Sequence, residues 1–187
     1  GQIAASGFEA DNRWLLFDDA DPALRQRVER LFGAALDRNR QQVVARFKEN
    51  ALEGDASRGL AVYDKHCARC HRWGDRGQSI GPDLASITDR LPETMLVAIL
   101  DPNRAVEARY VSYTATTNEG FSYSGIVTLE SDTSITLSLA DGKQQSLLRS
   151  EIEELTTGGK SLMPEGLENE LSEQDIADIL SMLAGAP

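Results

Sequence analysis

The residues of this chain with the most distinctive chemistry lie in one pentapeptide, Cys67-Ala68-Arg69-Cys70-His71. It contains both cysteines of the sequence and one of its two histidines. Two thiols three positions apart can add to the two vinyl groups of one porphyrin, and the next residue then reaches the iron from the same side. The spacing therefore predicts one haem c, bonded covalently through Cys67 and Cys70, with His71 as an iron ligand.

Two other uses of this motif are less well supported by the residues. A structural zinc ion needs four ligands, and all of them would have to come from His66, Cys67, Cys70 and His71 within six residues. A dithiol redox pair is typical of a thioredoxin-like βαβ unit, whereas a loop with glycine and proline follows this motif. A reactive thiol pair and a fortuitous match remain the alternatives to haem attachment.

The sixth iron ligand has to come from another part of the chain. His66 lies on the same tether as His71 and cannot reach the opposite face of the porphyrin. Methionine is the usual partner of histidine in electron-carrying haem proteins. The candidate is Met163, which lies in the irregular segment Ser161-Leu162-Met163-Pro164.

The other candidates for this position fit less well. Met95 and Met182 stand among apolar residues at helical spacing, where methionine usually fills a core. A non-ligating Met163, Tyr63, Lys160, water and a vacant position stay open as alternatives. A vacant position would indicate a small-ligand binder or a peroxidase.

The loop after the motif contains Gly81-Pro82-Asp83-Leu84, with Pro82 11 residues after His71. The Pro82 carbonyl is held in a fixed direction, and proline has no N–H of its own to offer. We expect this carbonyl to accept a hydrogen bond from the Nδ1–H of His71, which would orient the imidazole and tune its donor strength. An ordinary Gly-Pro turn is the alternative.

Helical periodicity marks the chain up to about residue 109. We predict a helix after the cap Asp21-Pro22 that extends to, or is followed by another through, Phe47. A further helix runs from the cap Asp55 into the haem motif, and another runs from Pro92 to Asp101. These elements would bring the haem motif to the end of a helix.

From Tyr110 the apolar period changes from about 3.6 to 2, which predicts four or five short antiparallel strands in a small barrel or curled sheet. The predicted strands, separated by turn signals, are 110–117, 121–129, 133–139 and 144–148. Gly158-Gly159 and Pro164 predict a loop, and Ser172 with Asp175 begins a final amphipathic helix.

These features resemble class I c-type cytochromes, with a helix entering the haem motif, a Gly-Pro-x-Leu loop, a Met-Pro loop and a closing helix. Residues 54–184 are similar in particular to the planctomycete-type haem-binding domain family, found at the C-terminal end of large secreted proteins. The shared motifs are Gly-Asp-Ala-x-Arg-Gly at 54–59, Cys67 to His71, Gly81 to Leu84, Asp101-Pro102, Tyr-Ser-Gly at 123–125 and Ser-Leu-Met-Pro at 161–164. The resemblance implies that the first and last haem-domain helices cross, and it adds Pro82 and Leu84 to the haem-binding residues.

The expected fold is a mainly α cytochrome c fold with an inserted small antiparallel β domain, α+β overall, and an N-terminal helical extension. The expected parts are an extension at 1–53, a haem domain at 54–109 and 158–187, and a β insertion at 110–157. The insertion separates His71 from Met163 by 92 residues. It would shield a haem edge, form a homodimer contact through a sheet edge, or dock a partner domain.

The net charge of −11 is concentrated in the C-terminal part, where residues 111–187 carry 13 acidic and 3 basic groups. Nucleic acid is therefore a disfavoured partner, since it requires a basic surface. A basic protein partner would be attracted instead, although a solvated acidic face is an equal alternative. No stretch approaches the roughly 20 apolar residues of a membrane span.

We therefore predict an electron-transfer module that is not itself an enzyme and that serves a fused or partner dehydrogenase. The alternative is a haem-based small-ligand sensor or peroxidase, in which the sixth iron position opens to bind a ligand. A third possibility is a structural domain whose fold the covalent haem stabilises. Because bacteria attach haem c outside the cytoplasm, we expect a periplasmic or otherwise exported protein. The start at Gly1-Gln2-Ile3 suggests a mature or excised piece.

Overall fold

The computed structural model describes residues 38–49 and 52–185. Within these residues the chain forms four helices and two antiparallel sheets, which confirms an α+β fold overall. The start of the helix predicted after Asp21-Pro22 lies outside the described residues, whereas the helical segment predicted through Phe47 is observed at Arg38–Glu49. None of the described helices has both the length and the apolar character needed to cross a membrane.

Two of the four described helices begin at residues whose side chains cap their first N–H groups. The four are α1 (Arg38–Glu49), α2 (Ala56–His66), α3 (Pro92–Leu100) and α4 (Glu173–Ala184). Asp55 caps α2, because its Oδ1 accepts a hydrogen bond of 2.9 Å from the Arg58 N–H. Ser172 and Asp175 form a reciprocal capping box at α4. The predicted starts of α2, α3 and α4 are confirmed.

Short elements connect the helices to the larger sheet. Directly after the haem motif, β1 (Arg72–Trp73) and β2 (Arg76–Gly77) form a two-stranded hairpin. Single 3₁₀ turns lie at Leu84–Ser86, Ala108–Tyr110, Arg149–Glu151 and Leu167–Asn169. They link the hairpin, α3 and the sheet without long loops.

The second sheet has five antiparallel strands in the order β6-β5-β4-β3-β7. They are β3 (Val111–Thr117), β4 (Ser122–Glu130), β5 (Ser134–Leu139), β6 (Gln144–Leu148) and β7 (Ile152–Ser161). The first four agree with the strands predicted from the alternation of apolar and polar residues, to within one residue at each end. In the chain, this sheet lies between α3 and α4.

The loop predicted at Gly158-Gly159 is wrong, because β7 continues through both glycines. Val111 pairs with Ser161 and Tyr113 with Thr157, so β7 contains extra residues opposite β3 at this point. Gly159 has φ of +67°, a conformation that side chains disfavour. The glycines therefore form a bulge within an edge strand and do not end it.

The connection between β6 and β7 requires the sheet to curl. The two strands lie at opposite edges, so in a flat sheet four strand spacings, about 19 Å, would separate them. Only Arg149–Glu151 joins them, and four Cα–Cα steps span at most about 15 Å when fully extended. The Asn118 N–H also donates to Glu151 O at 2.9 Å, which ties this turn to the end of β3. The two edges therefore approach each other.

The helices share one core, in which α2 and α4 cross in close contact. A Cβ added to Gly59 would lie 2.0 Å from the Asp178 carbonyl oxygen, and one added to Gly54 would lie 2.0 Å from that of Ala177. These glycines let the two backbones approach more closely than any side chain would allow. Tyr63 is fully buried beside this crossing, and Phe47 brings α1 into the same core. The crossing of the first and last haem-domain helices is confirmed.

A buried carboxylate holds the crossing from the side of α4. The Asp178 side chain is 3% exposed and accepts two hydrogen bonds of 2.7 Å from Arg58, through Nε and an Nη atom. It also accepts hydrogen bonds from the Asp55 N–H and the Gln174 amide. The Arg58 hydrogen bonds are the main cause that lowers the pKa of Asp178 to about 2.

Replacing Gly59 with Ala should destabilise the protein by about 2 kcal/mol or more, because the new Cβ forces two backbones apart. This loss outweighs the gain of about 1 kcal/mol in helix propensity. Chemical denaturation measures the effect. Gly158→Ala is the matched control, since its Cβ would meet only Lys160 Cγ at 3.9 Å. Equal stabilities of the two variants would contradict the close crossing.

Replacing Asp178 with Asn should lower the free energy of unfolding at neutral pH by about 2 kcal/mol, the scale of hydrogen bonds to a charged group. The folded pKa of about 2 lies below the reference of 3.8, so the carboxylate stabilises the fold above about pH 4. That contribution disappears as pH falls towards 2. Denaturation between pH 2 and 7 should show a steeper acid loss in the wild type than in Asp178→Asn. Parallel curves would refute the assignment.

Candidate haem site

The haem motif is a tight turn at the C-terminal end of α2. The N–H groups of Cys67 and Ala68 both donate to the Tyr63 carbonyl, at 2.8 and 2.9 Å. Those of Cys70 and His71 both donate to the Cys67 carbonyl, at 3.0 and 2.9 Å. The two thiols and the imidazole therefore belong to one hydrogen-bonded turn, which fixes their spacing.

Tyr63 anchors this turn from the core. Its hydroxyl donates a hydrogen bond of 2.8 Å to the His71 carbonyl and lies 3.3 Å from the Arg76 carbonyl. Burial is the main cause that raises the pKa of Tyr63 above its ordinary value, so the hydroxyl keeps its proton. Since this hydroxyl is engaged by the backbone of His71, its geometry gives no support to Tyr63 as a sixth ligand.

The His71 imidazole is held by the loop that follows. Its Nδ1 lies 2.9 Å from the Pro82 carbonyl oxygen, the hydrogen bond that the sequence spacing predicts. Burial lowers the pKa of His71, which favours the neutral ring. Because a carbonyl can only accept, the Pro82 oxygen places the ring proton on Nδ1. Nε2 has no hydrogen-bond partner among the described residues and keeps its lone pair. The ring is thus prepared to bind a metal through Nε2, and the residues fit a haem iron.

Glycines bring the loop close to this ring. A Cβ on Gly81 would lie 2.7 Å from His71 Cε1 and 3.0 Å from Nδ1. A Cβ on Gly77, whose φ is +78°, would lie 2.0 Å from the His71 carbonyl oxygen. The N–H groups of Ile80 and Gly81 donate to the Cys70 carbonyl at 3.0 and 2.8 Å. The loop is therefore built around the imidazole and the motif backbone.

The two cysteines are half-buried and have raised thiol pKa values. Burial raises the pKa of Cys67 to about 11 and also raises that of Cys70. Reactive dithiol pairs show the opposite shift, because the thiolate is their nucleophile. Within residues 38–49 and 52–185, no group of three or more His, Cys, Asp or Glu side chains is arranged to hold a metal ion. Neither zinc binding nor dithiol redox chemistry gains support.

The methionines fall into two environments. Met95 and Met182 are 5% exposed and belong to the helical core. Met163 is half-buried in the loop between β7 and the turn Leu167–Asn169, and its N–H donates to Ser161 Oγ at 3.1 Å. The structure brings together the thiols, His71 and the Gly81-Pro82 loop. Met163 lies in another loop, where its N–H donates to Ser161 and not to any residue of the loop around His71.

Three further residues named in the sequence analysis, Leu84, Lys160 and His66, have ordinary surroundings. Leu84 is half-buried at the start of a 3₁₀ turn and packs against the helical core. Lys160 is exposed on the edge strand β7. His66 lies 3.6 Å from a Glu170 carboxylate oxygen through Nδ1. None of these contacts identifies an iron ligand.

The sequence analysis missed Asn103, which holds the Met163 loop. Its Oδ1 accepts a hydrogen bond of 2.8 Å from the Ser161 N–H, and its Nδ2 donates one of 2.5 Å to a Glu165 carboxylate oxygen. An asparagine just after Asp101-Pro102 is a turn signal, but nothing local identifies partners 58 and 62 residues away.

The sequence analysis also missed a contact between the sheet and the haem loop. A Cβ on Gly142, in the turn between β5 and β6, would lie 2.6 Å from Oε1 of Gln78. The Gln78 N–H donates to the Ala68 carbonyl inside the haem motif at 3.0 Å. The β5–β6 turn therefore packs next to the loop that surrounds His71.

Comparisons with known proteins agree with this geometry. Residues 56–124 match the family described as cytochrome c. A stretch of 45 residues is 44% identical to cytochrome c-554(547) of Halothiobacillus neapolitanus, covering 24% of this chain and 50% of that protein. The chain thus spans about half the length of the curated relative it matches. These findings support a c-type cytochrome, and the family implies a covalently attached haem c, consistent with Cys67 and Cys70 in a CxxCH motif.

Replacing Gly81 with Ala should push the His71 ring away from the Pro82 carbonyl. A hydrogen-bonded imidazole is more basic and favours ferric iron, so its loss should raise the reduction potential of the haem-loaded protein. We expect about 40 mV, the one-electron equivalent of about 1 kcal/mol. Spectroelectrochemical titration measures it, with Gly158→Ala as the control. A wild-type potential in Gly81→Ala would contradict this role.

Proposed function

We propose that this chain is an electron-transfer module that holds one haem c with His71 and Met163 as axial ligands. The observation that carries the proposal is the His71 imidazole, bound at Nδ1 by Pro82 and left with an unpartnered Nε2. The family match over residues 56–124 supports haem binding and electron transfer. The assignment of Met163 and of a dehydrogenase as partner goes beyond that match.

Each residue near the motif would have a distinct task. Cys67 and Cys70 would hold the group through thioether bonds, and His71 would donate Nε2 to its iron. Pro82 would orient the imidazole, and Leu84 would add apolar cover. When bound, haem supplies the one-electron redox change, while the protein provides position and tunes the potential.

Met163 is the methionine best suited to the second axial position. Met95 and Met182 are packed in the helical core, where methionine side chains fill the space between apolar neighbours. Met163 is half-buried in a loop that is held by hydrogen bonds and followed by a proline. A fixed loop can present a thioether to an iron at a small entropic cost.

We also propose that the β strands form an inserted subdomain, predicted at 110–157, between two parts of a haem domain predicted at 54–109 and 158–187, with residues 1–53 as an extension. Because β7 runs to Ser161, the second boundary of the insertion would lie after that residue. The contact of Gly142 with Gln78 supports a shielding role beside the haem loop. The edge strand β7 is largely exposed along its length and would offer a homodimer contact. The motifs shared with the planctomycete-type family agree with this division.

The partner would be a redox protein or a fused dehydrogenase. The chain would bind it through a small, transient interface. The acidic C-terminal part favours a partner with a basic surface, and steering of this kind weakens as salt rises. Attachment of haem c in bacteria takes place outside the cytoplasm, so we place the protein in the periplasm or among exported proteins.

Replacing each methionine with leucine in turn tests the ligand assignment. Leucine conserves core volume, so Met95→Leu and Met182→Leu should keep the wild-type spectrum. Met163→Leu should convert the iron to high spin, abolish the weak near-red sulfur band of the oxidised form and lower the reduction potential. Absorption spectra of the haem-loaded proteins in both redox states are the measurement.

An unchanged Met163→Leu spectrum would remove the assignment. A wild-type protein that is already high spin and binds carbon monoxide rapidly would favour a small-ligand sensor or peroxidase over a carrier.

A further inference from the structure

We infer that Asn103 is the residue that positions Met163, by clamping both sides of its loop with one side-chain amide. This inference rests on the proposed axial role of Met163. It adds a positioning residue from the segment after α3, more than 50 residues away in sequence from the loop that it holds.

The clamp uses the two halves of the Asn103 amide on opposite sides of Met163. Oδ1 accepts from the Ser161 N–H at 2.8 Å, two residues before the methionine. Nδ2 donates to the Glu165 carboxylate at 2.5 Å, two residues after it. The Met163 N–H donates to Ser161 Oγ at 3.1 Å, so the methionine backbone is tied to the first clamped residue. One side chain thus fixes both approaches to the thioether.

The clamp is itself fixed by the core. Asn103 follows α3, whose residue Leu100 is 1% exposed, and Asp101 and Pro102 after it are buried. The Arg104 N–H donates to the Asp101 carbonyl at 3.0 Å and closes the turn around Asn103. The amide therefore projects from a rigid turn, whereas the loop that it holds joins the sheet to the last helix.

An ion pair anchors the same segment further along the chain. Arg40 of α1 lies 2.6 Å from the Glu168 carboxylate, and these side chains are 14% and 7% exposed. This pair holds the residues after Glu165, and the pairing of Ser161 with Val111 holds the residues before Met163, while Asn103 contacts both Ser161 and Glu165. Loosening the Asn103 clamp should therefore free the methionine without unfolding the haem domain.

The amide chemistry allows the clamp to be broken and rebuilt. Asn103→Ala removes both hydrogen bonds. Asn103→Asp keeps the acceptor for Ser161 but places a carboxylate against Glu165. Adding Glu165→Gln to Asn103→Asp restores a donor and acceptor pair with the roles reversed. The double variant should therefore recover what Asn103→Asp loses, which a purely structural defect would not do.

The measurement is the binding of imidazole to the oxidised haem-loaded protein, which competes with Met163 for the iron. Asn103→Ala and Asn103→Asp should bind imidazole about tenfold more tightly than the wild type and show a weakened near-red sulfur band. The Asn103→Asp/Glu165→Gln protein should return to within about twofold of the wild type. Asn118→Ala is the control, because Asn118 donates a comparable hydrogen bond to Ser150 O between two turns at the end of the sheet.

The outcomes separate this inference from the proposal beneath it. If Met163→Leu leaves the spectrum unchanged, the axial assignment fails, and the inference about Asn103 fails with it. If Met163→Leu removes the sulfur band while both Asn103 variants keep wild-type imidazole affinity, the carrier function survives and the clamp is refuted. An Asn103→Asp effect that Glu165→Gln does not reverse, or an equal effect of Asn118→Ala, also refutes it.

Discussion

The close crossing of α2 and α4 is the contact on which the rest of the described structure depends. Gly59 lets the two backbones touch, and the buried Asp178 carboxylate ties the start of α2 to the middle of α4. Residues more than 110 positions apart in sequence are joined there. The chain segment that contains the sheet must therefore begin and end close to this crossing. Because the haem motif ends α2, the same crossing determines where its thiols and imidazole lie.

The histidine is positioned by hydrogen bonds to two backbone carbonyls, one of Pro82 and one of His71 itself. The Pro82 carbonyl binds Nδ1, the Tyr63 hydroxyl binds the His71 carbonyl, and Gly81 leaves room for the ring. Backbone acceptors have fixed directions, so they set the orientation of an imidazole without adding a charge near it. A site of this kind holds one tautomer and keeps Nε2 available, as the proposed role of His71 as an iron ligand requires.

The five-stranded sheet gives the molecule its unusual organisation. It lies between the motif and the Met163 loop in sequence, yet its β5–β6 turn contacts Gln78 beside the motif. Its last strand ends at Ser161, whose N–H donates a hydrogen bond to Asn103. The sheet thus adds many residues between the two proposed axial ligands. Its contacts with Gln78 and Asn103 fix the position of this long segment. The proposed insertion, held at both ends, would cover the loop around His71 without disturbing the helices.

Local signals in the sequence determined the haem motif, the caps Asp55 and Ser172, the first four strands and the spacing of Pro82 from His71. Each of these depends on residues within about a dozen positions, where periodicity, capping and turn chemistry act. The strand through Gly158-Gly159 was missed because a bulge opposite β3 is a property of pairing, and local sequence does not record the partner. Only the tertiary structure decided that Gly59 meets Asp178 and that Asn103 holds Ser161 and Glu165. Those contacts join distant segments, and their geometry exists only after the chain has folded.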